Sequence, residues 1–211
     1  MRAWVAALCC VMVVAGVAPR AQAGAQVEEH LAPSVVAGLA KSIADFPPPA
    51  NYGRRADVRA WVDDMSKRIA SRVADEPTRR DLLTTIHYEA TRAGLDPQLV
   101  LGVIHHESGF NKYAYSSAGA RGYMQVMPFW VKQIGNREHD LFALRTNLRY
   151  GCTILRYYLA VEHGDLFRAL GRYNGSLGRA DYPNAVLAAM NRYAPAAPAG
   201  AALRLSQSAA R

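Results

Sequence analysis

Residues 97–128 read PQLVLGVIHHESGFNKYAYSSAGARGYMQVMP, an apolar run that ends on one acid and gives way to a glycine-studded loop. Asp96-Pro97 reads as an N-cap followed by proline in the first turn, which opens a helix. Successive helical residues turn by ~100°, so Val100, Val103 and Ile104 share a face with Glu107. A carboxyl group at the end of such a stripe is desolvated, which raises its pKa and keeps it protonated near neutrality. That is the state a general acid requires. Taken alone, Glu107 is better read as a carboxylate exposed at a fraying helix end, since most acidic residues are solvated.

The loop that follows adds to the picture. Gly109, Gly119 and Gly122 let the chain turn tightly and bring its backbone near a ligand. Gln125 offers a donor and an acceptor, which suits sugar hydroxyl and acetamido groups. Met124 and Met127 supply pliable apolar surface. Further on, Arg172-Tyr173-Asn174-Gly175 can return the Tyr173 hydroxyl toward the same place.

Around this stretch the periodicity is helical. Helices are predicted over 58–73, 77–93, 97–107, 128–134, 146–161, 165–173 and 183–193, with Gly94 closing the second and Asp165 capping the sixth. Residues 24–45 read as partly helical, and Phe46-Pro47-Pro48-Pro49 reads as a linker. The tail after Ala194 is rich in Ala and Pro and reads as loose. No strand run or internal repeat is visible. The expectation is an all-α domain over 77–193, preceded by a helical extension over 24–76 and followed by a loose tail over 194–211.

Arg2, the uncharged apolar run Ala3–Ala18 and the triplet Ala21-Gln22-Ala23 form the pattern of a secretory signal peptide over residues 1–23, cleaved after about Ala23. An uncleaved membrane anchor is the alternative, although the run is short of the ~20 residues a span needs. Cys9 and Cys10 lie inside the run, where lipidation is disfavoured. The mature chain then keeps Cys152 alone and must fold without an internal disulfide. The whole chain carries a formal net charge of +8. Removing Arg2 and Arg20 leaves it near +6, a balance that favours polyanionic partners such as cell-wall polymers. No zinc, homeodomain or RNA-binding signature supports nucleic acid.

Glu107-Ser108-Gly109-Phe110, the run Gly119-Ala120-Arg121-Gly122 to Met124-Gln125-Val126-Met127-Pro128, and Tyr173-Asn174-Gly175 together resemble the three motifs of the soluble lytic transglycosylase (SLT) family. The resemblance covers roughly residues 80–180 and includes Asn147–Gly151. It implies a lysozyme-like helical fold with a glycan groove, Glu107 as the single catalytic acid and base, and Ser116, Gln125, Met127, Tyr173 and Asn174 on the substrate. Tyr123 and Arg172 depart from the usual Leu and Ala, which puts subsite preference in doubt.

The reaction implied is cleavage of the β-1,4 bond between N-acetylmuramic acid and N-acetylglucosamine. Glu107 protonates the bridging oxygen. The acetamido group stabilises the anomeric centre, as in substrate-assisted glycosidases. Glu107 then takes a proton from the C6 hydroxyl, which closes a 1,6-anhydro ring with the advantage of an intramolecular attack. No metal or cofactor is implied, and the partner is the glycan strand of peptidoglycan, with cell-envelope machinery a further possibility. The location implied is periplasmic or secreted, with no stable membrane span after leader removal. Two other readings are a goose-type muramidase, which hydrolyses the same bond, and a non-catalytic wall-binding or secretion-apparatus protein.

Other residues have plainer readings. His105 and His106 point in different directions from Glu107 and lack metal-site spacing. Cys152 reads as a buried thiol. Tyr150, Tyr157 and Tyr158 read as packing residues, Trp61 as the anchor of the N-terminal extension, and Glu89 and Glu162 as solvated faces.

Overall fold

A computed structural model describes residues 26–44 and 47–194. The expected leader, Phe46 of the linker and the tail beyond Ala194 lie outside the described residues. Among the described residues eight α-helices run in order: α1 Pro33–Ile43, α2 Ala56–Arg68, α3 Glu76–Arg92, α4 Pro97–Glu107, α5 Phe129–Ile134, α6 Leu144–Val161, α7 Leu166–Asn174 and α8 Asp181–Arg192. Among the described residues there is no named strand, only isolated bridges between Tyr115 and Arg121 and between Arg121 and Val126. The all-α expectation holds.

The helix starts follow from side chains that satisfy free backbone N–H groups. Asp75 accepts from Thr78 N, Asp96 from Gln98 N and Asp165 from Arg168 N. Gly94 and Gly175 end α3 and α7 in the left-handed conformation that glycine adopts without a Cβ penalty.

Helix α4 is the buried axis of the fold. Leu99 through Ile104 are all buried, and only its two ends reach the surface. It packs along α8, and Gly102 permits the approach: a Cβ there would lie 2.8 Å from Val186 O and 3.0 Å from Met190 N. Helix α6 packs on α3 and α7, and α7 on α8. The end of α4 therefore meets the end of α7 and the start of α8.

The N-terminal segment lies on this body. Helix α1 packs against α5 and α6, and α2 against α3. Trp61 sits edge-on to His87 with ring centroids 5.0 Å apart, in keeping with an anchor. Cys152, Tyr150 and Tyr158 belong to the core, and Tyr157 packs against it. No helix of the described residues is long and apolar enough to cross a membrane.

Two expectations are corrected. Glu89 is fully buried, and Arg149 Nη2 reaches its Oε1 at 2.8 Å while Arg92 Nε reaches Oε2 at 3.0 Å. Glu162 is also buried, held by Arg172 Nε at 2.7 Å and by Arg168 Nε at 2.5 Å. Both acids find guanidinium partners that offset their loss of solvation. Arg172, which departs from the usual Ala, is held between two acids, because its Nη1 also reaches Glu29 Oε1 at 2.9 Å.

Candidate active site

Glu107 is the last residue of α4 and is half-buried. Val100, Val103 and Ile104 below it are wholly buried, as the helical spacing predicts. Burial raises its pKa to about 7, with the Tyr182 hydroxyl and the Asn174 amide pulling weakly the other way. The C-terminal end of the helix dipole also disfavours a negative charge here. Asn174 ends α7 and Tyr182 lies in the first turn of α8, so the packing of three helix ends makes the chamber. The Tyr182 hydroxyl faces the carboxyl without reaching hydrogen-bond geometry and has no bonded partner.

Tyr182 was missed by sequence reasoning, which started the last helix at Pro183. His106 stacks edge-on against the Tyr182 ring at 5.0 Å, and His105 Nδ1 lies 2.6 Å from the Tyr193 hydroxyl. These neighbours hold both imidazoles in place by contacts other than Glu107. No group of His, Cys, Asp and Glu able to hold a metal occurs among the described residues.

The loop after Glu107 is tightly bonded. Phe110 and Gln125 hold positive φ angles of 72° and 49°, which side chains other than glycine rarely adopt. Such backbone strain is common where a loop must present groups to a ligand. Ser116 is half-buried, and its Oγ accepts from Ala120 N at 3.0 Å. Gln125 is buried, with Nε2 donating to Ala114 O at 3.1 Å and Gly122 O at 2.9 Å. Its donor is thus spent on the loop itself, contrary to the expectation that both ends of the amide face a sugar.

Met127 remains half-buried, whereas Met124 is wholly buried and is core rather than surface. Asn147 holds this turn from α6: its Oδ1 accepts from Met124 N, and its Nδ2 donates to Arg121 O and Leu141 O, each at 2.8 Å. Gly122 and Gly151 fit around the same residues. A Cβ at Gly122 would meet Asn147 Nδ2 and Leu141 O, and one at Gly151 would meet the Met124 side chain.

Tyr173 is almost wholly buried, and its hydroxyl donates to Met124 O at 2.7 Å. It supports the loop from beneath and does not project into open solvent. Its pKa is raised by burial first and by the nearby Glu107 second. On its other side lies a residue that sequence reasoning overlooked. The Gln26 amide is buried, accepts from Trp130 Nε1 at 2.9 Å and from Met127 N at 3.3 Å, and also faces the Tyr173 hydroxyl. The strap around Gln26 is fixed further by Gln133 Nε2 donating to Glu29 O at 3.0 Å.

Comparison with known proteins bears on the family of this domain. Residues 84–186 match the family model described as the transglycosylase SLT domain. The chain carries an SLT domain. All six residues expected at the site, Glu107, Ser116, Gln125, Met127, Tyr173 and Asn174, fall inside the matched region. Over 98 residues the chain is 35% identical to a transglycosylase of Enterobacteria phage PRD1, covering 46% of this chain and 36% of the phage protein. Over 70 residues it is 47% identical to membrane-bound lytic murein transglycosylase C of Haemophilus influenzae, covering 33% of this chain and 18% of that protein. The chain spans about a third or less of each relative's length. A solved structure of an inactive mutant of lytic transglycosylase Slt from Pseudomonas aeruginosa aligns with a TM-score of 0.43 at 21% identity, over 67% of this chain and 27% of that one.

Proposed function

We propose that this protein is a lytic transglycosylase that cuts peptidoglycan between N-acetylmuramic acid and N-acetylglucosamine and leaves a 1,6-anhydro end. The observation that carries the reading is Glu107, a carboxyl whose pKa burial raises to about 7, so that a large fraction is protonated near neutrality, beside a strained, rigid loop. In this reading Glu107 donates its proton to the glycosidic oxygen. The substrate's acetamido oxygen stabilises the positive charge that develops at the anomeric carbon, so no protein nucleophile is required. The resulting carboxylate accepts the C6 hydroxyl proton, and that oxygen closes the anhydro ring.

Asn174 and Tyr182 steady the carboxylate between the two steps, because each favours its charged form. Ser116 and Met127 meet the sugars, while Gln125 and Tyr173 fix the loop that presents them. Hydrolysis by a muramidase route is less well supported. Burial and two neutral polar groups account for the Glu107 environment, with no second carboxylate contributing. Glu89 and Glu162 are both committed to arginines. The periplasmic or secreted location and any partnership with envelope machinery belong to the same proposal, as does the peptidoglycan substrate itself.

Mass analysis of purified sacculi digested with the protein tests the reaction. The expected products carry 1,6-anhydro ends and vanish with Glu107→Gln. Reducing ends would assign a muramidase, and equal background release by both proteins would reject an enzyme.

A further inference from the structure

The loop that leaves Glu107 carries two aromatic side chains the fold leaves in water. Tyr113 and Tyr115 are 67% and 65% exposed, the most exposed large hydrophobic side chains among the described residues. Their backbone is nonetheless pinned. Tyr115 pairs with Arg121, and Gly122 N and Gln125 Nε2 both donate to the intervening Ala114 O, at 2.9 and 3.1 Å. Tyr113 N donates to Asn111 Oδ1 at 2.9 Å, and the Tyr113 ring leans on Phe142 with centroids 5.9 Å apart. Rings presented by a rigid loop lose little conformational entropy when something covers them.

Two cations flank these rings, and one carboxylate, Asp140, is held nearby by accepting from Phe142 N at 2.8 Å. Lys112 Nζ lies 5.2 Å from the Tyr113 ring centre, and the Arg121 guanidinium lies 6.0 Å from that of Phe142. Among the described residues neither cation is paired with a carboxylate, and Arg121 Nε is buried with no hydrogen-bond partner. Flat apolar faces with wet hydroxyl edges suit the C–H face of a pyranose ring. Unpaired cations beside them suit carboxylates. Ser116, a proposed substrate contact, follows Tyr115 directly in the chain.

We infer that Tyr113 and Tyr115, flanked by Lys112 and Arg121, form a second saccharide-binding platform for a stretch of amino-sugar strand beyond the scissile bond, with the strand's lactyl and peptide carboxylates on the two cations. The inference rests on the proposed function and extends its substrate contact outward. Its effect is to hold the enzyme on polymeric wall material, since two linked contacts retain a strand better than either alone.

The test uses the mature chain and protease-treated sacculi, so that no wall-attached protein contributes. Binding is measured by co-sedimentation in the Glu107→Gln background, with and without Tyr113→Ala plus Tyr115→Ala. Loss of two aromatic anchors is expected to weaken binding by about tenfold or more. In the active background the loss falls on KM for sacculi rather than on kcat. Thermal midpoints stay level because the rings are exposed. Lys112→Ala is expected to weaken binding less, and more so at low salt. Unaltered sedimentation of the double tyrosine variant overturns the platform. A loss seen only with sacculi that retain their proteins also overturns it, because the occupant is then a protein. The two readings separate cleanly. Anhydro products from a protein indifferent to the tyrosine changes leave the enzyme assignment standing without the platform. Tyrosine-dependent binding without any product does the reverse.

Discussion

The Asn147 side chain grips the Met124 backbone from 23 positions away, accepting its N–H at 2.8 Å in a fully buried setting. The same amide donates to Arg121 O and Leu141 O, so one side chain satisfies three backbone groups of the loop. Asn147→Ala strands all three, and a buried unpaired polar group costs about 1–3 kcal/mol. Relaxation of the loop recovers part of this. The expected loss is about 2–5 kcal/mol, read as a lower urea midpoint. Asn147→Asp is expected to lose at least as much, because its second carboxyl oxygen faces the Arg121 and Leu141 carbonyls where the amide donated.

The pH dependence of cleavage follows from Glu107. Burial raises its pKa to about 7, and the first step uses the protonated form. Activity should therefore be retained below that value and fall about tenfold per pH unit well above it. The check is the rate of soluble muropeptide release between pH 5 and 9. A rate that stays level across the whole range would argue against Glu107 as the acid.

The same shift has a stability consequence of definite sign. A carboxyl whose pKa is raised on folding contributes stability that is complete below its unfolded value, here 4.5, and lost as pH climbs through about 7. Above that the ionised carboxylate opposes folding, by at most about 3 kcal/mol and by less where the cleft admits solvent. Glu107→Gln, a neutral isostere, should therefore raise the urea midpoint at pH 8 and leave it unchanged at pH 4. An equal effect at both values would point to packing instead of charge.

Gln26 supplies a further expectation. Its Oε1 accepts from Trp130 Nε1 and Met127 N. Gln26→Leu fills the space but leaves both donors unpaired, which costs about 1–3 kcal/mol. Since Met127 and Tyr173 are both touched, cleavage should fall by more than the fraction unfolded explains. Gln26→Glu, which retains the acceptor, should restore part of the loss. The measurements are the thermal midpoint and the cleavage rate, compared across the two variants.

Much of the helical layout was legible because its signals are local. The Asp96 and Asp165 caps and the glycine stop at Gly94 each depend on neighbours a few residues away. The raised pKa of Glu107 was also legible, since Val100, Val103 and Ile104 lie on its own helical face. What escaped was long-range pairing. Glu89 reads as solvated until Arg149 arrives from α6, and Gln26 reads as an ordinary polar residue until Trp130 closes on it. Tyr182 carries no marking in sequence and gains its meaning only when α8 brings its hydroxyl to face Glu107. Gln125 was assigned to the groove by residue type, but its positive φ and its bonds to Ala114 and Gly122 turn its donor inward.

Cys152 lies in the core on α6 with 1% of its surface exposed, and burial pushes its thiol well above the ordinary range. A sulfhydryl so enclosed is inert toward oxidants and alkylating reagents while the helices stay together. It serves as an internal clock for opening: covalent trapping of this atom advances only as fast as the bundle exposes it. An oxidising milieu can then pair two chains through this residue only after they have come apart, so dimers cross-linked at Cys152 record past unfolding and not native assembly.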